Sequence, residues 1–567
     1  MKVFLIFPFI LLIGNSCNKI PEQWNGKRLS RKRDQITVAQ LQTDNTLALV
    51  DLSYYARPDW AGNAGYHFSG SIVVGDTQLN YPRGGEPYDG EDTFPAITMD
   101  FIADGTQLIP VQKGLVVATK HTNSFWDVII GTGAVWNEDG DNGWSRASFP
   151  LTLTDRYVGQ ARNCVATFVY NSITVSNVCV QCSQETASLE DHRVGDIRVM
   201  LKANYQPKRY VDSAQVIQQH HQSGERRLPV YPLRDIDAHQ EVAEYFDRTM
   251  STNSPTSIGA VLAGGKLYLH PPKTRHGLYP YPADMRHGVY SVTKSMAGAL
   301  ALMYFAQRYS PDIFDELITD HVPALANHAG WKGVTFSHAL NMVTGTVGSE
   351  DMEHILDFIK ARTAEESINV IAKLGDAPSL PGQEFNYAST NFFVLSYALQ
   401  NYVNGKEGTK ADYWDLVREN VLVPIGAEDL TLRRTVEEDN SLGIPVLAYG
   451  AFPTLDEAAK IAMLFYSEGN YNGQQLLHRQ KTREALGRTQ WVGHSTGNDS
   501  GENYRHSFWS TTVHNGNCTV NATYMWGYGG NYIIFLPNDV IAFRFMDEYD
   551  LNVHELVRKV EQHRACP

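Results

Sequence analysis

Charge is scarce in this chain and leans to one sign. Only 19% of its 567 residues are Asp, Glu, Lys or Arg, and 48 basic against 62 acidic residues leave a formal charge of −14. Such a balance repels a phosphate backbone, so nucleic acid is not expected as a partner. Long apolar runs are missing after the first residues, so no later stretch is expected to cross a bilayer, which takes about 20 apolar residues in a helix. Internal repeats and low-complexity tracts are absent, as is the H-E-x-x-H frame that would turn His220, His221 or His239 into zinc ligands. Neither a metal nor a cofactor is expected. What is present is 43% hydrophobic residues, 29 Tyr and 45 Gly, the composition of a large, turn-rich and partly β globular protein. The length corresponds to about two to four domains.

The run Val3 to Ile13 is broken only by Pro8 and ends in Gly14-Asn15-Ser16-Cys17. It is too short to span a membrane and suits the core of a signal peptide over residues 1–16, with small residues at the cleavage point. Cys17 then resembles the acylated first residue of a bacterial lipoprotein, although Gly14 stands where that motif prefers Leu. A plain secretory signal is the alternative. Residues 17–40, with the basic cluster from Lys27 to Arg33, read as a solvated tether. The expected location is the cell envelope, with membrane contact by lipid anchor alone.

Cys17 aside, Cys164, Cys179, Cys182, Cys518 and Cys566 remain, an odd number that cannot all pair. Two strands around a turn at Asn171-Ser172 would set Cys164 opposite Cys179, with Cys182 as the competing partner. Cys518 and Cys566 are candidates for tying the C-terminus to the body. A zinc or redox role for Cys179-Val-Gln-Cys182 lacks a second ligand pair.

From 41 to 205 short alternating stretches broken by Gly, Asp, Asn and Pro predict an all-β, sandwich-like domain. Its Trp60, Trp126, Trp136 and Trp144 read as packing rather than as a carbohydrate platform. Texture changes near Gln206-Pro207-Lys208-Arg209, and 206–567 is expected to form one α/β domain: an antiparallel sheet flanked by helices, with an all-helical subdomain. Hairpins are expected at 258–270 around Gly264-Gly265 and at 532–545 around Asn538-Asp539. Helices are expected near 291–308, 364–374, 391–402, 411–421, 455–468 and 551–563.

Chemistry concentrates in three segments. Ser291-Val-Thr-Lys294 opens an apolar helix, where residues three apart share a face, so the hydroxyl and the amine can meet. A serine needs a neighbouring base, and a lysine serves only when burial or another cation lowers its pKa. Pro381-Gly-Gln-Glu-Phe-Asn-Tyr387-Ala-Ser389 sets a tyrosine before a helix, and Met525-Trp526-Gly527-Tyr528-Gly529-Gly530-Asn531 precedes a strand. Glycines there admit backbone amides close to a substrate. By contrast, Gly493-His-Ser495-Thr-Gly497 matches a nucleophile elbow in letters but lacks the flanking strand and helix.

In order and spacing these segments resemble the serine β-lactamase and penicillin-binding-protein superfamily, in particular its class C, esterase and nylon-oligomer-hydrolase branch. The resemblance covers about 230–565. It implies Ser291 as acyl-forming nucleophile, Lys294 as proton relay, Tyr387 as general base, and backbone N–H groups of Ser291 and Tyr528 as oxyanion hole. Ser389, Trp526, Gly527 and Gly529 would line the substrate cleft. Ser389 stands where lactamases usually carry Asn, and Met525-Trp526-Gly527 lacks the cation and Thr that hold a β-lactam carboxylate. The expected function is an exported serine hydrolase (carboxylesterase, or less favoured an amidase or β-lactamase type) acting on a small or oligomeric ester or amide. The competing expectation is a surface-anchored polymer- or glycan-binding protein with a vestigial site.

Overall fold

A computed structural model describes residues 33–45, 48–82, 90–118, 124–184, 186, 195–249, 256–347, 350, 352–375, 378–498, 501–516, 518–546 and 552–561. Cys17, the signal-like run, most of the tether and Cys566 lie outside the described residues. No described helix is long and apolar enough to cross a membrane.

The N-terminal part forms one eleven-stranded antiparallel sheet. Its hydrogen-bonded path begins at Ile197–Leu201 and ends at Ala203–Pro207, two halves of one extended stretch interrupted at Lys202. The sheet therefore curls round until its two edges meet. Where two stacked sheets were expected, a single wrapped one is observed, because long strands serve two neighbours. Ser145–Asp155 pairs with Gly133–Asn137 along its first half and with Trp126–Ile130 along its second.

Alternation decides what lies inside. Cys164, Ala166, Phe168 and Tyr170 face an apolar core with Ala147, Phe149, Leu151 and Leu153. Phe68, Phe101, Phe149 and Phe168 pack there with centroids 4.8 to 6.4 Å apart. The opposite face is covered too. Val165, Val169 and Cys179 join the core of the C-terminal part, and the buried Arg146 forks onto Asp141 at 2.9 and 2.6 Å. Trp126 and Trp136 are fully buried and donate to Glu91 O and Glu138, so these two rings are packing elements.

The turn at Asn171 is wider than the two residues expected. Asn171 N–H donates to Thr174 O, and its side chain accepts from the N–H groups of Ile173 and Thr174. The longer loop shifts the register, so Thr167 opposes Cys179 and Cys164 opposes Cys182. The disulfide joins Cys164 to Cys182, and Cys179 is a buried free thiol. Cys518 is also disulfide-bonded.

The C-terminal part is built on a nine-stranded sheet whose middle unites distant segments, with Thr256–Ala263 beside Val540–Met546. Both expected hairpins form. Gly264 and Gly265 turn at φ 56° and 73°, and Asn538 and Asp539 at 60° and 59°, the left-handed pair a two-residue turn needs. The observed helices include Ala364–Ile371, Ser389–Glu407, Leu455–Tyr466 and Val553–Glu561, close to the expected ranges, while the helix expected at 291–308 begins as a wider coil over Lys294–Ala299 and becomes regular only at Leu300–Arg308. The region expected at 411–421 divides into Tyr413–Val417 and a wide turn over Arg418–Leu422. The polar stretch after the first sheet folds as a helix, Ser213–Glu225, that buries no residue. Ser495 is exposed on the edge strand His494–Ser495 and no nucleophile elbow forms.

Replacing Cys164 and Cys182 together with Ala is expected to lower stability by about 3 kcal/mol through a freer unfolded chain. Equilibrium denaturant unfolding in the absence of reductant reads this directly.

Candidate active site

The chain reaches the site through Met285 to Tyr290, all buried. Tyr290 has φ 45°, a left-handed conformation that a bulky residue enters only when its surroundings compel it. Tight turns follow, with Val292, Thr293 and Lys294 N–H groups donating to Val289, Tyr290 and Ser291 carbonyls. Ser291 is left half-buried at the start of the helical segment, and Lys294 lies one turn further, 1% exposed.

The Lys294 amine is the hub. Its Nζ is 2.8 Å from Ser291 Oγ, 3.0 Å from Ser389 Oγ and 2.9 Å from Ala448 O. Three oxygens surround it with no carboxylate in direct contact, so burial dominates and lowers its pKa to about 8. Ser389 is the first residue of the helix Ser389–Glu407, and its N–H donates to Glu350 Oε1. Lys294 Nζ also lies 4.9 Å from the centroid of the Tyr387 ring. Burial holds the Tyr387 phenol well above its usual pKa, with Tyr504 and Glu350 adding to the shift and a hydrogen bond to Ser291 opposing it. The three side chains singled out from sequence thus meet at one point.

The third segment arrives from the far side. A Cβ on Gly527 would stand 2.1 Å from Val289 O, so only glycine lets the strand Cys518–Gly527 touch the turn before Ser291. Tyr528 follows, its ring 5.4 Å from that of Tyr290. Gly529 and Gly530, at φ 82° and 88°, then reverse the chain. Trp526 packs 5.0 Å from Trp509, which is 5.6 Å from Tyr387, giving one continuous aromatic wall. Met525 is fully buried.

The sequence profile of the Beta-lactamase family matches residues 245–546, more than half of the chain. The chain belongs to the beta-lactamase family. No curated protein matches it. Among solved structures it is similar to a putative 6-aminohexanoate-dimer hydrolase from Bacillus anthracis: 17% identity, 57% of this chain and 80% of the other, TM-score 0.44. It is also similar to a penicillin-binding protein homolog from Caulobacter crescentus (16%, 58% and 98%, 0.45). A D-stereospecific amidohydrolase from Streptomyces shows comparable likeness (14%, 58% and 99%, 0.43).

Sequence reasoning about this family missed Ala448, Glu350 and the wrapped sheet's approach to Ser291. A backbone carbonyl leaves no letter to find, and Glu350 sits in a loop without pattern. The wrapped sheet precedes the beta-lactamase match, yet its segment Asp155 to Gln160 presses on the site. One Asp155 oxygen accepts from the N–H groups of Tyr157, Val158 and Gly159, and the other accepts from Gln160. Gly159 is thereby held so close that a Cβ on Gly288 would be 1.9 Å from Gly159 O, and a Cβ on Gly159 would be 2.6 Å from Tyr449 O. Those contacts flank both strands of backbone that frame Lys294. Asn163 clamps Arg286 with two bonds of 3.0 and 2.8 Å, and Thr186 accepts from Gly288 N–H at 3.0 Å.

Gly288→Ala is expected to destabilise this beta-lactamase-family chain by roughly 2 kcal/mol or more, since the Gly159 backbone and the Thr186 methyl leave no room to relax. Gly264→Ala, with open space around its Cβ, is expected to cost less. Thermal unfolding of both variants checks the order.

Proposed function

We propose that the protein is a hydrolase cleaving an ester, or less readily an amide, through an acyl-enzyme on Ser291. The observation that carries this reading is the buried Lys294 amine, bonded at once to Ser291 Oγ and Ser389 Oγ, with a pKa brought down to about 8. Ser291 Oγ attacks the carbonyl carbon and its proton passes to Lys294 Nζ. The carbonyl oxygen takes up the negative charge, facing backbone N–H groups of Ser291 and Tyr528. When the tetrahedral adduct collapses, the bond to the leaving group breaks and that group departs with a proton. Water then repeats the sequence on the acyl-enzyme and frees the acid.

The assignment of bases is sharper than the family pattern implies. A phenol pushed above its usual pKa is a poor phenolate source, whereas an amine near 8 is partly neutral at physiological pH. Lys294 therefore takes the serine proton, and Tyr387 acts as a neutral phenol that passes a proton towards the leaving group. Ser389 orients Lys294. Trp526, with Gly527 and Gly529 beside it, forms the substrate-facing wall. The absence of a cationic anchor at Met525-Trp526-Gly527 supports substrates without a carboxylate beside the scissile bond, hence esterase over β-lactamase chemistry. Export and lipid attachment at Cys17 complete the reading and rest on the N-terminal sequence.

Purified protein is expected to take up a fluorophosphonate probe and to turn over p-nitrophenyl esters of short acids faster than nitrocefin or D-amino-acid amides. Ser291→Ala should abolish labelling and lower kcat by roughly three powers of ten or more. No Ser291-dependent adduct and no ester turnover would return the chain to the class of binding proteins. With Lys294 acting as a free base, kcat/KM should rise with pH through about 8, because protonation at lower pH removes the acceptor. A profile already flat from pH 6 would assign the base elsewhere.

A further inference from the structure

Glu350 is the acidic group nearest the reacting trio that the mechanism above does not use. Its Oε1 accepts from the backbone N–H of Ser389, whose own Oγ is bonded to Lys294 Nζ, so the carboxylate stands one residue away from the nucleophile's partner. The side chain is exposed, and among the described residues no Lys, Arg or His is paired with it. Met525, at the motif position where a cation would be expected from the family resemblance, is buried and apolar.

We infer that Glu350 is a specificity-determining residue that recruits substrates bearing a positive charge, an ammonium or quaternary ammonium group carried near the scissile carbonyl. The inference rests on the hydrolase reading and names its substrate class. Three observations converge on it. The exposed carboxylate is held beside Ser389 by a backbone donor, so it is oriented rather than free to swing away. Its negative charge raises the pKa of Lys294, Tyr387, Tyr504 and Tyr449 alike, which places all four within its field. That field opposes both the neutral amine and any charge developing on the phenol, so unpaired it hinders the chemistry. A cationic substrate cancels the field as it binds, and the half-buried Trp526, packed against the buried Trp509, adds an aromatic ring to which a quaternary ammonium is drawn. Anionic substrates meet repulsion from Glu350 with nothing to offset it.

The test uses isosteres that differ only in charge. Acetylthiocholine, whose charge lies on the leaving side, is compared with its neutral tert-butyl analogue. The p-nitrophenyl ester of trimethylammonio-butyrate, whose charge lies on the acyl side, is compared with its own neutral tert-butyl analogue. In at least one pair the full-length protein should favour the cation by roughly three- to tenfold in kcat/KM, the scale of a partly exposed ion pair, and the preference should shrink as salt is added. Glu350→Gln keeps an oxygen to accept from Ser389 and should bring that ratio to about one. Glu350→Lys should invert it. Equal rates within both pairs, or a preference that survives Glu350→Gln, overturn this inference and leave the hydrolase reading intact. No turnover of any ester, together with no fluorophosphonate adduct on Ser291, overturns both.

Discussion

An amine enclosed by oxygens, without a carboxylate to hold its proton, is the constraint on which the rest of the site depends. Lys294 reaches Ser291, Ser389 and the Ala448 carbonyl from within an apolar helical segment. Burying an ammonium is costly unless it is paired, and here the protein answers by letting the proton leave more easily. Each neighbour follows from that arrangement. Ser291 needs a helix start so that its hydroxyl stays reachable, Ser389 needs the start of another helix to face the amine, and Ala448 needs a buried segment that turns its carbonyl inward.

The wrapped sheet enlarges the structural unit that holds Ser291 and Lys294. The family match begins at residue 245, yet the backbone before Ser291 is clamped by Asn163 and Thr186 and touched by Gly159. Two glycines meeting backbone to backbone, Gly159 and Gly288, are a contact that no side chain can imitate. The core is continuous across the two sheets as well, with Val165, Val169 and Cys179 packed among residues of the C-terminal part. A β module that merely trailed the hydrolase would show a solvated face there. This one buries Arg146 on Asp141 and Arg198 on Gln181 instead, so its second face is an interface.

Much of the site was legible before any coordinates. S-x-x-K on an apolar helix, a tyrosine ahead of a second helix and a glycine-bearing segment before a strand are local patterns, and each lies on the element it announced. The two left-handed hairpins were equally readable, because Gly-Gly and Asn-Asp carry their turn geometry within two residues. The disulfide was not. Its register hangs on an Asn171 side chain that widens the loop, and one slipped residue changes every cross-strand partner. Stacked sheets were expected for the same reason that a wrapped one was missed: alternation tells which face is buried but not which strand lies alongside.

The sequence by itself determined which hydroxyl, amine and phenol are brought together, since all three are written into short motifs whose spacing sets them at helix starts. Tertiary structure alone decided how strongly each group holds its proton, which carboxylate lies beside Ser389, and that a sheet outside the family match supports the turn before Ser291. Those properties depend on burial and on close approach between segments more than a hundred residues apart, such as Gly159 and Gly288 or Val289 and Gly527. Hydrophobic pattern and turn chemistry act over a few residues, whereas desolvation and backbone contact are fixed only when the whole chain has closed around them.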